Sequence, residues 1–113
     1  MKLDACIVSN DRIYAQWIKL ELIEKGKSAS VSDSLAFAPS AKIYIIDIDT
    51  VPFATKGDSK IICFGLSEKP PKEKGIMYLV RPFTSDELLS ACEQAYIYSS
   101  SRLWNETDTA SER

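Results

Sequence analysis

Short, almost wholly apolar segments recur along the chain, and each stops abruptly at a polar, charged or glycine residue. Runs of this length, rich in β-branched and aromatic side chains, are typical of strands covered on both faces, as in a parallel sheet. They span residues 5–8, 42–46, 60–64 and 77–80, the middle two each opened by a lysine. A fifth, weaker β-like piece covers residues 28–32 around Val31.

Two helical patterns alternate with these strands. Residues 12–25 carry apolar side chains at helical spacing, beginning after the capping residues Ser9-Asn10-Asp11 and stopping at Gly26. Thr84 and Glu87 form a capping box ahead of a second apolar stripe, which ends near residue 98. Residues 33–38 allow a turn or two of helix before Pro39.

The remaining crossovers are short or interrupted. The connection after the third strand holds Pro52 and Gly57, and the next holds Pro70-Pro71 and Gly75, so neither offers ten clean helical residues. Alternating strands and helices predict a parallel sheet with right-handed crossovers and helices on both faces.

Composition bounds the function. The 113 residues, 45% of them hydrophobic, suffice for one domain without a disulfide framework. The chain has no histidine, which excludes Ser-His-Asp and Cys-His catalysis, and we expect no enzyme. A formal net charge of −2 excludes a domain that binds DNA through its overall charge.

The cysteines and the apolar runs favour a cytoplasmic protein. Cys6, Cys63 and Cys92 are widely spaced and odd in number, so we expect three buried thiols rather than a metal site or disulfides. No apolar run approaches the roughly 20 residues of a membrane helix, and the chain opens directly into a strand pattern. We therefore expect no membrane contact.

The residues that end the strands are the candidate site. In open parallel sheets, ligands collect beyond the carboxyl ends of the strands, where the strand order reverses. With a strand order of 2-1-3-4-5, the ends of strands 1 and 3 flank that point, and the ends of strands 4 and 5 complete the rim. The candidate pocket residues are then Ser9, Asn10, Asp11, Asp47, Asp49, Gly65 and Arg81.

Two motifs resemble those of a known family. Residues 44–49, Tyr-Ile-Ile-Asp-Ile-Asp, lie where receiver domains of bacterial two-component response regulators have their phosphoacceptor strand. Residues 78–83, Tyr-Leu-Val-Arg-Pro-Phe, are similar to that family's Tyr-Leu-x-Lys-Pro-Phe. The resemblance covers about residues 3–98. It implies an α/β, flavodoxin-like (CheY-like), doubly wound five-stranded parallel sheet of order 2-1-3-4-5, here with abbreviated helices after strands 3 and 4.

The same resemblance implies that Asp47 is a phosphoacceptor, but three positions depart from the family pattern. Ser9-Asn10 stands in place of an acidic pair that holds Mg²⁺, Gly65 in place of a threonine or serine, and Arg81 in place of a lysine. Without the acidic pair, Mg²⁺ loses the carboxylates that it prefers. Arg81 presents a planar fork suited to a carboxylate, so we expect it to clamp Asp47. The resemblance also implies a cis peptide before Pro82.

The favoured hypothesis is an atypical receiver, or pseudo-receiver, that works without phosphorylation and without a cofactor. It would serve as a protein-interaction module of a transcription regulator, binding a protein partner or a second copy through strand 5 and the last helix. Residues 96–98, Tyr-Ile-Tyr, would extend that surface or pack in the core. Residues 99–113 would link to a separate effector domain, which alone would contact DNA.

Two alternatives remain open. In the first, Asp47 is a working phosphoacceptor, and Asp11, Asp47 and the carbonyl group of Asp49 hold Mg²⁺ at a non-standard site. In the second, the chain is a flavodoxin-like small-ligand binder or enzyme that uses the same crevice. No glycine-rich phosphate loop follows any predicted strand, which argues against the second.

Overall fold

The structure, a computed structural model, describes residues 2–57, 59–66 and 76–100, with only the backbone described for 96–100. Five strands and two helices follow one another along these residues. In chain order they are β1 Leu3–Val8, α1 Arg12–Glu24, β2 Ala29–Ser32, β3 Ala41–Asp47, β4 Lys60–Gly65, β5 Met77–Val80 and α2 Ser85–Ser100.

All five strands form one parallel sheet in the order β2-β1-β3-β4-β5, which confirms the predicted topology. The register sets Val8 of β1 beside Ile46 of β3, and Asp47 of β3 beside Phe64 of β4. The residues that follow these strands therefore meet at one edge of the sheet, where the sequence places its candidate site.

Local capping fixes both ends of α1 and the start of α2. The Asp11 side chain accepts a hydrogen bond from the backbone N–H of Tyr14, and Gly26 adopts a positive φ of 81° after the last turn of α1. The capping box at α2 is confirmed. The N–H of Thr84 donates to Glu87 Oε1 at 3.0 Å, and the N–H of Glu87 donates to Thr84 Oγ1 at 3.1 Å.

Both helices pack on the same face of the sheet. Ala15, Ile18 and Leu22 of α1 join Leu88 and Ala91 of α2 in one core cluster with inward side chains of the strands. This arrangement corrects the expectation of helices on both faces, as far as the described residues extend. The opposite face is covered by loop side chains, including those of Ala38 and Val51.

Short loops replace helices on that second face for a local reason. Residues 33–38 form a turn in place of the expected helix, because Pro39 follows too soon for a second helical turn. The segment 48–57 holds Pro52 and is also irregular. Lys56 joins the two loops, since its Nζ donates to the carbonyl oxygens of Leu35 at 3.0 Å and Ala38 at 2.6 Å.

Beyond β5 the chain turns through a cis peptide between Arg81 and Pro82, as the resemblance implies. The backbone of α2 then continues to Ser100, past the predicted boundary at residue 98. Residues 101–113 of the predicted linker, and the side chains of residues 96–98, lie outside what the structure describes.

The three cysteines are buried and free, as predicted. Burial raises the pKa of the Cys63 and Cys92 thiols to about 12, and it also raises the pKa of Cys6. The thiols therefore behave as small apolar side chains. Among the described residues, no helix is both long enough and apolar enough to cross a bilayer.

Candidate functional site

Asp47 lies at the centre of the carboxyl edge of the sheet and is wholly buried, with 0% of its surface exposed. Its Oδ2 accepts a hydrogen bond from Ser9 Oγ at 2.7 Å. Its Oδ1 accepts from the backbone N–H of Asp49 at 3.1 Å. Both carboxylate oxygens therefore have partners supplied by the chain itself.

Ser9, at the end of β1, connects Asp47 to the start of α1. It is 1% exposed, and its Oγ also accepts from the N–H of Asp11 at 2.9 Å. Asn10 points toward the loop after β3, where its N–H donates to Thr50 Oγ1 and its Nδ2 donates to the carbonyl oxygen of Thr50, both at 3.0 Å. These bonds tie the β1–α1 connection to the β3 loop.

Thr50 is a site residue that the sequence reasoning missed. Its Oγ1 lies 3.5 Å from Ser9 Oγ and accepts the N–H of Asn10. The available signal was its position, because it directly follows Asp49 in the loop after the third strand. The N–H of Thr50 also donates to the carbonyl oxygen of Asp47 at 3.2 Å, so a tight turn carries it back over the site.

Arg81 does not clamp Asp47, which corrects the prediction from the sequence. Its Nη2 lies 3.2 Å from Asp11 Oδ2, and its guanidinium carbon lies 4.0 Å from the centre of the Tyr14 ring. The arginine is held over the first turn of α1 because the ring offers a cation–π contact there and Asp11 offers a carboxylate oxygen. The other oxygen of Asp11 caps the helix at Tyr14.

A cluster of aromatic side chains packs around Tyr14, the residue that Arg81 contacts. The rings of Tyr14, Trp17, Phe64 and Phe83 lie with their centres 5.5–5.8 Å apart in five tilted or edge-to-face pairs. The cluster joins α1, the end of β4 and the segment after β5. It therefore fixes the ring on which Arg81 rests.

Gly65 leaves space that two other side chains occupy. A Cβ at this position would lie 3.0 Å from Asp49 Oδ1 and 3.1 Å from Tyr78 Oη. Asp49 reaches this point because its Oδ2 accepts the N–H of Leu66 at 2.7 Å. Burial raises the pKa of Tyr78, and the nearby Asp49 carboxylate raises it further. Asp49 and Tyr78 thus stand where a hydroxyl-bearing side chain would project.

The carboxylates are not arranged to hold Mg²⁺. Asp11 Oδ1 accepts from the N–H of Tyr14 and its Oδ2 pairs with the Arg81 guanidinium, while Asp47 accepts from Ser9 and from the N–H of Asp49. Mg²⁺ prefers carboxylates among near-octahedral oxygen ligands, whereas Ser9 and Asn10 are neutral and Asp11 is already paired with a cation. In the described part of the chain, no three His, Cys, Asp or Glu residues converge on a possible metal position. The residues present therefore do not fit the metal that the resemblance implies.

Comparisons with known proteins identify the fold. No protein-family model and no curated protein sequence matches the chain. Among solved structures, it is similar to a response regulator receiver domain protein of Bacillus halodurans, with a TM-score of 0.67 and 15% identity over 84% of this chain and 97% of that one.

Two further structures give the same result. A response regulator receiver domain from Francisella matches with a TM-score of 0.66 and 20% identity over 87% of this chain and 99% of that one. The protein NtrX from Brucella abortus, solved in complex with ADP, matches with a TM-score of 0.67 and 17% identity over 100% of this chain but 30% of its own length. At these sequence identities the likeness shows the fold alone, and the fold is the one found in receiver domains.

Proposed function

We propose that this chain, which has the receiver-domain fold, is an atypical response-regulator receiver that signals through protein contacts without a Mg²⁺-dependent phosphorylation cycle. The observation that carries the proposal is the state of Asp47, whose carboxylate is wholly buried and has both oxygens hydrogen-bonded. Attack on an incoming phosphoryl group requires a carboxylate that the phosphodonor can reach, and no part of this carboxylate is exposed to solvent.

The surroundings of Asp47 support the same proposal. Phosphoryl transfer depends on a metal ion and fixed cations that neutralise charge on the moving group. Ser9 and Asn10 supply a hydroxyl and an amide where such a site needs carboxylates, and Arg81 lies against Asp11 and Tyr14. At these positions the sequence thus supplies neither the expected carboxylates nor the expected lysine.

The far side of the site supports a fixed conformation rather than a switch. Asp49 binds the N–H of Leu66 and, with Tyr78, fills the space beside Gly65. The Asp49 side chain thereby links the loops after β3 and β4, and it lies near Tyr78 of β5. In this proposal β5 presents its partner surface without a phosphoryl group.

The partner surface that we propose consists of β5 and α2. A groove there is lined by Met77 and Leu79 of β5 and by Asp86 and Glu87 of α2. This apolar and acidic lining suits a protein segment that carries apolar and basic side chains, or a second copy of the chain. In the same proposal the chain belongs to a cytoplasmic transcription regulator whose separate effector domain contacts DNA.

A Mg²⁺ titration followed by NMR tests this function. We expect the backbone amide signals of Asn10, Asp11 and Asp49 to move only slightly and without saturation at millimolar MgCl₂, because their neighbouring carboxylates are already engaged. The measurement compares wild type with Asp47→Asn at matched ionic strength, alongside a receiver domain that retains the acidic pair.

Saturable shifts at these three amides in wild type, lost in Asp47→Asn, would contradict the proposal. They would favour the alternative in which Asp11, Asp47 and the carbonyl group of Asp49 form a working metal site. The control receiver must show saturable shifts under the same conditions for a flat response to count.

A further inference from the structure

Helix α1 presents apolar side chains to solvent as well as to the core. Ile13 is 87% exposed, Leu20 55% and Ile23 45%. At about 100° per residue, Ile13 and Leu20 lie on the side of the helix opposite Ala15 and Leu22, which are buried. The exposed residues therefore form a second face, which we call the outer seam: Ile13, Gln16, Leu20 and Ile23.

The outer seam has the spacing of a coiled coil. Its members follow one another at intervals of three, four and three residues, which are the a, d, a and d positions of two heptads. Gln16 occupies the first d position and is exposed. A polar residue within a short apolar seam lowers the stability of pairing but favours one register.

The residues beside the outer seam favour a parallel partner with the same sequence. Arg12 and Lys19 occupy the g positions, and Trp17 and Glu24 occupy the e positions. In a parallel in-register pair, each g residue faces the e residue five positions later on the other helix. Lys19 then meets Glu24 of the second copy, and Arg12 meets its Trp17. An antiparallel pair would instead bring Arg12 and Lys19 of the two copies together.

We propose that the outer seam of α1 is a self-association surface, on which two copies of this chain pair their α1 helices in parallel about a two-fold axis. This surface is separate from the groove of β5 and α2. Phe37, which is 89% exposed and lines a cleft with Arg12 and Gln16, adds apolar area at its rim. With 13 residues, α1 is about 20 Å long, so the pair is a weak, concentration-dependent dimer.

Sedimentation of the full chain over a wide concentration range tests the proposal. We expect a monomer–dimer equilibrium that Leu20→Glu weakens by about tenfold or more, because a charge replaces an apolar side chain at the centre of the seam. Leucine and glutamate have similar helix propensity, so the fold should persist, as circular dichroism will check. Leu66→Glu is the matched control, since it makes the same change at a leucine that is 67% exposed and lies outside α1, β5 and α2. Val80→Glu, at a β5 residue that is 43% exposed, tests pairing through the other surface.

A charge exchange tests the parallel direction. Lys19→Glu and Glu24→Lys should each weaken the dimer, and the double variant should restore it. A wild-type chain that stays monomeric throughout, or a dimer that Val80→Glu disrupts and Leu20→Glu does not, would overturn the proposal. Strengthening by Lys19→Glu would also overturn it, because that result indicates antiparallel pairing with Arg12.

Discussion

Truncation of Phe64 to alanine should lower the free energy of unfolding by about 3–5 kcal/mol, as is typical of large-to-small changes in a core. Phe64 is wholly buried at the end of β4, and its ring lies 5.6 Å from that of Tyr14 and 5.7 Å from that of Phe83. The variant loses these contacts and leaves a cavity beneath the ring that supports Arg81. Urea denaturation followed by circular dichroism measures the change.

Phe37→Ala is the matched control because it removes the same side chain from a site that is 89% exposed. We expect its effect on stability to stay within about 0.5 kcal/mol, as for most surface substitutions. Equal losses in the two variants would show that the aromatic cluster is not the core described above.

Replacement of Ser9 by alanine should lower the free energy of unfolding by about 2–3 kcal/mol, as for a lost buried hydrogen bond to a charged group. The Ser9 hydroxyl donates to Asp47 Oδ2 and accepts the N–H of Asp11, so the variant leaves both groups without that partner. Ser30→Ala is the control, because within the described residues the Ser30 hydroxyl makes just one long hydrogen bond, to Cys6 Sγ at 3.7 Å. We expect Ser30→Ala to cost much less in the same urea experiment.

A double-mutant cycle separates the Ser9–Asp47 contact from other effects of the substitution. In an Asp47→Asn background, Ser9→Ala should cost less by about 1 kcal/mol, because an amide oxygen is a weaker acceptor than a carboxylate. If the two changes are strictly additive, the 2.7 Å hydrogen bond does not hold Asp47 as the structure indicates.

The sheet was predictable because its signals are local. Each apolar run identifies one strand without reference to the rest of the chain. Parallel pairing of the strands then follows from the helix and the loops that connect the runs. The capping box at Thr84 and the stop at Gly26 are equally local, since each depends on residues within one turn. The placement of Asp47, Asp49, Gly65 and Arg81 at one edge followed from the topology.

The pairing of Arg81 was not predictable by the same reasoning. A long side chain such as that of arginine can reach several acceptors, and the neighbouring groups decide which one it contacts. Here the Tyr14 ring and Asp11 both lie within reach of Arg81 and bind it. The sequence analysis took Asp47 as the partner of Arg81, yet in the structure Asp47 accepts its hydrogen bond from Ser9. These contacts join residues that are far apart in the sequence, so the spacing of residues along the chain does not predict them.

The side chains that fill the space beside Gly65 were likewise not predictable from the sequence. The glycine shows that a hydroxyl is missing there, but it does not show which groups take the place of that hydroxyl. Asp49 arrives there through a hydrogen bond to Leu66, and Tyr78 arrives from the neighbouring strand. The prediction for the second face of the sheet was wrong for a related reason. The positions of the prolines show where a helix cannot form, but they do not specify which loop side chains cover the strands instead.

The most direct test of the central claim is intact-mass spectrometry after incubation with a small-molecule phosphodonor and Mg²⁺. Wild type and Asp47→Asn are compared with an ordinary receiver domain treated in parallel. Because the Asp47 carboxylate is buried and each of its oxygens accepts a hydrogen bond, we expect no phosphoryl adduct on this chain while the ordinary receiver is labelled. An adduct on wild type that is absent from Asp47→Asn would contradict the account and establish Asp47 as a working phosphoacceptor.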